Sequence, residues 1–112
     1  MPKFLIEASY SPEGLRGLAH DRASGREAAI KDALAGVGGK LEGVYFALGE
    51  ADVYALCDCP DHVTAAALSL AVSATGLVKT RTISLLTVAE TDKALAMKLS
   101  YRAPGGSKAA KA

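Results

Sequence analysis

The stretch Lys40–Asp61, KLEGVYFALGEADVYALCDCPD, decides the fold. Two apolar and aromatic runs flank Gly49-Glu50, and the second ends in Cys-Pro-Asp. The first run, Lys40–Leu48, reads as a strand. The second, Ala51–Cys59, reads as its antiparallel partner across a tight turn at Gly49-Glu50. Its period of two puts Val53, Ala55, Cys57 and Cys59 on one face and Asp52, Tyr54, Leu56 and Asp58 on the other. Pro60 and Asp61 then suit the start of a helix.

Outward from this hairpin the pattern repeats. On the N-terminal side, Lys3–Ser9 alternates Phe4, Ile6 and Ala8 against Lys3, Glu7 and Ser9, as a strand does. Ser11-Pro12 offers an N-cap and a first helical residue. A helical pattern follows, with a kink expected at Ala23–Gly25 and a stop at Gly36, Gly38 and Gly39. On the C-terminal side, Val63, Ala66, Ala67, Leu70, Ala71 and Ala74 recur at helical spacing and are expected to form a buried stripe, ended by Gly76. Leu77–Val88 reads as a fourth strand, and Ala89–Ser100 as a short terminal helix.

The order β-α-β-β-α-β is the ferredoxin-like α+β plan, a four-stranded antiparallel sheet with both crossover helices on one face. One domain is expected over residues 1–99, followed by a flexible basic tail over 100–112. The other sheet face is then open. It carries Tyr54, Leu56, Asp52 and Asp58, with Leu5 and Glu7, and one of two alternating sets of the fourth strand: Lys79, Arg81, Ile83 and Leu85, or Thr80, Thr82 and Ser84. A slip of one residue exchanges those sets, so the sequence leaves both open. A half-apolar open face calls for a partner subunit, a small ligand, or both. The simplest closure is a homodimer packed sheet against sheet, a dimeric α+β barrel-like assembly.

Composition narrows the function classes. The 112 residues are half hydrophobic with no tryptophan, which supports a packed core built from small side chains. Four of the basic residues, Lys98, Arg102, Lys108 and Lys111, lie beyond Met97, where no acid follows. The preceding body is therefore mildly acidic despite a net charge of +1. Such a body is a poor nucleic-acid surface. No apolar run reaches the ~18 residues of a membrane span, and the N-terminus lacks a signal peptide's apolar core. A cytoplasmic location is the expectation.

The hairpin also carries a resemblance. Leu48-Gly49, Asp52, Asp58 and Pro60-Asp61 resemble the signature of GYD-domain proteins, with Ala51 where the family usually has tyrosine and Asp58 where it commonly has glutamate. Gly76-Leu-Val-Lys-Thr80 is similar to that family's fourth strand, and Arg26 stands where it tends to carry an arginine in its first helix. The resemblance covers roughly residues 3 to 90. It implies a small bacterial or archaeal ferredoxin-like protein, akin to dimeric α+β barrels, whose biochemical function is not established.

Four residues are candidates for ligand binding: Tyr54, Asp58, Arg26 and Asp52. Tyr54 has an apolar ring and a polar tip on the open face, suited equally to a ligand and to a dimer interface. Asp52 and Asp58 share that face but lie about 20 Å apart at the strand rise, too far for a paired-carboxylate mechanism. Asp52 suits turn closure; Asp58 suits a helix start or a ligand. Arg26 suits either a salt bridge toward Asp58 or an anion.

Cys57, Cys59 and His62 suggest a metal, but C-x-C spacing and the opposite facing of Asp58 argue against one. Gly36–Lys40 follows a helix instead of opening one, so it is not a phosphate loop. No cofactor or metal is expected. The function expected is a homo-oligomeric module that self-associates through the open face and binds a small apolar ligand or simply its own copy. The alternative is a small cofactor-independent oxygenase or isomerase using Tyr54 and Asp58.

Overall fold

The computed structural model describes residues 1–106 and the backbone of Ala109–Lys111. Ser107, Lys108 and Ala112, part of the expected basic tail, lie outside the described residues. The elements are β1 (Lys3–Tyr10), α1 (Pro12–Gly36), β2 (Lys40–Phe46), β3 (Val53–Asp58), α2 (His62–Ser73), β4 (Val78–Leu85), α3 (Val88–Ala96), β5 (Ser100–Arg102) and β6 (Ala109–Lys111). The main sheet is antiparallel throughout in the order β2-β3-β1-β4, and β5 pairs with β6 apart from it. This is the α+β, ferredoxin-like arrangement read from the sequence.

Local chemistry explains the elements. The Ser11 hydroxyl accepts from the Gly14 amide at 3.0 Å and Pro12 opens α1. Gly38 and Gly76 take positive φ beyond the two crossover helices, where a side chain would be strained. Asp61 and Thr64 form a reciprocal cap at the start of α2. The hydrogen bonds from the Thr64 amide and hydroxyl hold the Asp61 carboxyl below its usual range.

The core lies between the central strands and the helices. Phe4, Ile6, Ala55, Cys57, Cys59, Leu34 and Ala65 are buried together, with Ile30, Leu41, Val44 and Leu68 packed around them. The alternation of β3 is as the sequence reads: Val53, Ala55 and Cys57 inside, Tyr54, Leu56 and Asp58 on the other face. The register of β4 is settled by its pairing. Leu5 faces Ile83 and Glu7 faces Arg81, so Lys79, Arg81, Ile83 and Leu85 share the open face.

Three details differ from the sequence reading. The β2–β3 connection is a loop over residues 47–52 instead of a two-residue turn, because Asp52 is drawn to β1: its amide donates to the Ala8 carbonyl at 2.8 Å. The kink in α1 falls at Arg22, one residue before the expected Ala23–Gly25.

The third correction concerns α2. Val63 and Leu70, expected inside, are 76% and 70% exposed. Ala65 is buried instead, with Leu68, Ser69 and Val72 half-buried. The helix is apolar on every side, so periodicity alone does not set its rotation. Hydroxyl pairs with β4 do: Ser69 with Thr82, and Ser73 with Thr80 at 2.9 Å.

The C-terminal segment stands away from this body. Thr87 and Glu90 cap α3 reciprocally, yet the helix buries no side chain. Leu86, Val88, Leu95, Met97, Leu99 and Tyr101 are all more than half exposed. The radius of gyration is 18.0 Å and the longest extent 59 Å, against about 13 Å for a compact chain of this length.

Arg22 has φ 68 and ψ 165, a region open almost solely to glycine. Arg22→Gly is therefore expected to stabilise the fold by about 1 kcal/mol: strain of ~1–3 kcal/mol relieved, less glycine's entropic cost of ~0.5–1 kcal/mol. The urea midpoint at unchanged slope measures it. Leu34→Ala empties a fully buried position and is expected to lose about 2–5 kcal/mol in the same assay.

Candidate functional site

The open sheet face is organised in rows across the strands. Tyr45, Tyr54, Glu7 and Arg81 form one; Gly43, Leu56, Leu5 and Ile83 the next; Lys40, Asp58, Lys3 and Leu85 a third. An apolar row thus runs between two charged ones. In the first row the Arg81 guanidinium lies 3.6 Å from the Glu7 carboxylate. In the third, the Lys3 ammonium donates to Glu42 and, at 3.0 Å, to Asp58. Lys3 therefore ties β1 to both β2 and β3. Those two hydrogen bonds, Glu42 first, raise its pKa.

The candidates read from sequence separate here. Asp58 is engaged by Lys3. Tyr54 lies two rows away, lining a groove of about 210 Å³ with Glu7, Ser9, Lys79 and Arg81. Asp58 is not among that groove's walls, so Tyr54 and Asp58 do not converge on one point. Asp52 is bound into the backbone: its carboxylate accepts from the Tyr10 amide at 2.8 Å and its carbonyl from the Ala47 amide at 2.8 Å. Lys3 and Glu42 were not legible as a pair, since β2 widens at a bulge between Leu41 and Gly43 that brings Glu42 within reach.

Arg26 is on the other side of the sheet. It lies nowhere near Asp58 in the ion-pair pattern; its guanidinium approaches Asp21 at 3.7 Å. It borders a cavity of about 90 Å³ between α1, α2 and the sheet, walled by Ile6, Ala8, Ala55, Ile30 and Leu68. Small residues on facing elements, Ala29 and Ala33 on α1 against Ala8 and Ala55 on the sheet, leave this space. That pairing was the sequence signal for it, readable only once the register is known.

Cys57 and Cys59 point into the core on the helix side, away from Asp58. Burial pushes the Cys57 thiol up to about 12, with the neighbouring Cys59 adding to it, and burial also raises Cys59. Such thiols behave as small apolar side chains and not as nucleophiles. The His62 ring meets Phe4 edge-on at 5.4 Å between centroids. Among the described residues no three His, Cys, Asp or Glu side chains are grouped as a metal site would need. No described helix is long and apolar enough to cross a membrane.

The family model for the GYD domain matches residues 4–95. The chain therefore belongs to the GYD domain family. No curated protein and no solved structure matches it.

The folded protein is expected to resist thiol labelling at mildly alkaline pH, since both cysteines are buried and protonated there. Labelling with a disulfide reagent should reach both thiols only on addition of urea. Rapid native labelling would overturn the assignment. The Lys3 linkage gives the opposite pH sense from an acid's. Its contribution is full below the ordinary lysine range and is lost as pH rises through its raised folded value. Lys3→Met should therefore flatten the alkaline limb of the stability profile.

Proposed function

We propose that this GYD domain protein is a homo-oligomeric binding module, formed when two copies close over their open sheet faces and each C-terminal arm reaches onto the other copy. The observation that carries it is the arm. An isolated nine-residue helix is not stable in water without a surface to pack on. Its own body covers none of Leu86, Val88, Leu95 and Met97.

A second copy supplies matching surface. The open face has an apolar row, Leu5, Leu56 and Ile83, of the kind a capped amphipathic arm or a second sheet covers. Of the flanking charges, Lys3 pairs with Asp58 and Glu42, and Glu7 with Arg81, while Lys40 stands exposed at the outer strand. Covering paired charges costs less than covering single ones. Two-fold symmetry lets the same patch serve on both copies. Tyr45 and Tyr54, adjacent on this face, fit an interface that combines apolar contact with polar tips.

Light scattering on the wild-type protein is expected to give about twice the 11.5 kDa chain mass. Leu56→Lys, and separately Leu95→Ser with Met97→Ser, should shift it to monomer with unchanged circular dichroism. A wild-type monomer would overturn the reading.

A further inference from the structure

We propose that the cavity between α1 and α2 is a binding site for a small monocarboxylic acid with a short apolar body, held by Arg26. The proposal rests on the binding-module reading and names the ligand class. It uses the helix side of the sheet, opposite the face assigned to self-association.

Three observations converge on this cavity. First, its walls are almost wholly apolar: Ile6, Ala8, Ala55, Ile30, Leu68 and Val72. The hydroxyls of Ser69 and Thr80 at its edge are taken up by Thr82 and Ser73. Secondly, Arg26 Nε is buried and has no hydrogen-bond partner among the described residues. A buried donor left unpaired is costly, and on a cation more so. Asp21, at 3.7 Å from the terminal nitrogen Nη1, does not engage Nε. Thirdly, the strained Arg22 lies four residues before Arg26 and re-aims the second half of α1. Strain of this kind is maintained by the surrounding structure and gathers at binding sites.

The chemistry selects the ligand. A guanidinium presents a planar fork that fits a carboxylate through two parallel hydrogen bonds. Inorganic phosphate or a phosphate ester calls for several donors, usually including backbone amides at a helix N-terminus. The cavity offers one cation and apolar walls. Its volume, about 90 Å³, is the share of roughly three waters at ~30 Å³ each. The tail of a four- or five-carbon acid suits it, the carboxylate outward at Arg26 and the tail against Ala8 and Ala55. A depression of about 210 Å³ on the same side, walled by Gly14, Leu18, Asp21 and Leu77, shares Arg26, Tyr10 and Val72 with the cavity. Asp21 is the acid that a bound carboxylate would displace or repel.

The test is a titration of the full chain with sodium valerate, followed by amide and Arg26 Nε–H resonances, with pentanol and sodium phosphate as comparison ligands. Valerate should shift Ala8, Ala55, Leu68 and the Arg26 Nε–H saturably, with a Kd on the order of millimolar for so few atoms. Pentanol should bind at least about tenfold more weakly, and phosphate should not move the Ala8 and Ala55 signals. Arg26→Gln should reduce valerate affinity to that of pentanol. If that variant does not fold, the wild-type comparison of valerate with pentanol decides alone. Equal binding of the two, no saturable shift, or shifts confined to the open sheet face would overturn the site. Light scattering of the same samples reports the assembly separately. A dimer that ignores valerate sinks this proposal alone, and a monomer that binds it sinks only the assembly.

Discussion

A four-stranded sheet with both crossover helices on one side has one face with no intramolecular cover. The rest of this protein follows from that constraint. The covered side must hold the whole core, so β1 and β3, the two central strands, contribute Phe4, Ile6, Ala55 and Cys57 to it. The uncovered side must be compatible with water and, under the assembly proposed above, with contact as well. It places one apolar row between two rows that each hold an ion pair, Glu7 with Arg81 and Lys3 with Asp58. A wholly apolar face would aggregate, and a wholly polar one would have nothing to associate with. The capped α3, which buries no side chain against its own body, is the other surface on which the proposed assembly rests.

The covered side is built from small side chains, and this has a geometric consequence. Ala8, Ala55 and Cys57 let the helices approach closely, and Gly14 and Gly39 tighten the approach further. A Cβ on Gly14 would stand 2.3 Å from the Leu77 carbonyl oxygen, and one on Gly39 2.8 Å from that of Asp58. Those contacts pin α1 at both its ends. Between them the helix bends at Arg22, and α1 and α2 do not close over the middle of the sheet. The cavity is thus a product of tight ends and a bent centre. Ala29 and Ala33 are too small to fill it.

How far the sequence foretold this differs by element. The alternation of β3 was legible because one face is buried, and burial imposes a strict period of two. The register of β4 was not, because one face mixes Lys79 and Arg81 with Ile83 and Leu85 and the other holds Thr80, Thr82 and Ser84, so neither is plainly the apolar one. Its partner β1 decides it through Glu7 and Arg81. The buried side of α2 was misread for a related reason. A helix of Val, Ala and Leu on all sides carries no polar face to set its rotation, whereas two serine–threonine pairs with β4 do. Of the four site candidates, Asp52 and Asp58 turn out to be held by backbone and by Lys3. Those partners lie more than forty residues away in the chain, beyond the reach of local patterns.

The charges finally distinguish the two faces by role. On the open face two cations beside the apolar row have an acid within the chain, Lys3 with Asp58 and Arg81 with Glu7. In the proposed assembly such pairs would register a contact between copies without demanding a partner of opposite charge. Arg26 is in a different state: one loose approach to Asp21, and a buried nitrogen with no partner beside an apolar space. An internal pair could have satisfied that nitrogen, as Asp58 and Glu42 satisfy Lys3 on the other face. That nitrogen, beside a space that small side chains keep open, is the feature on which the proposed ligand site rests. A flaw lined by alanine and isoleucine needs no cation, and a surface arginine needs no cavity.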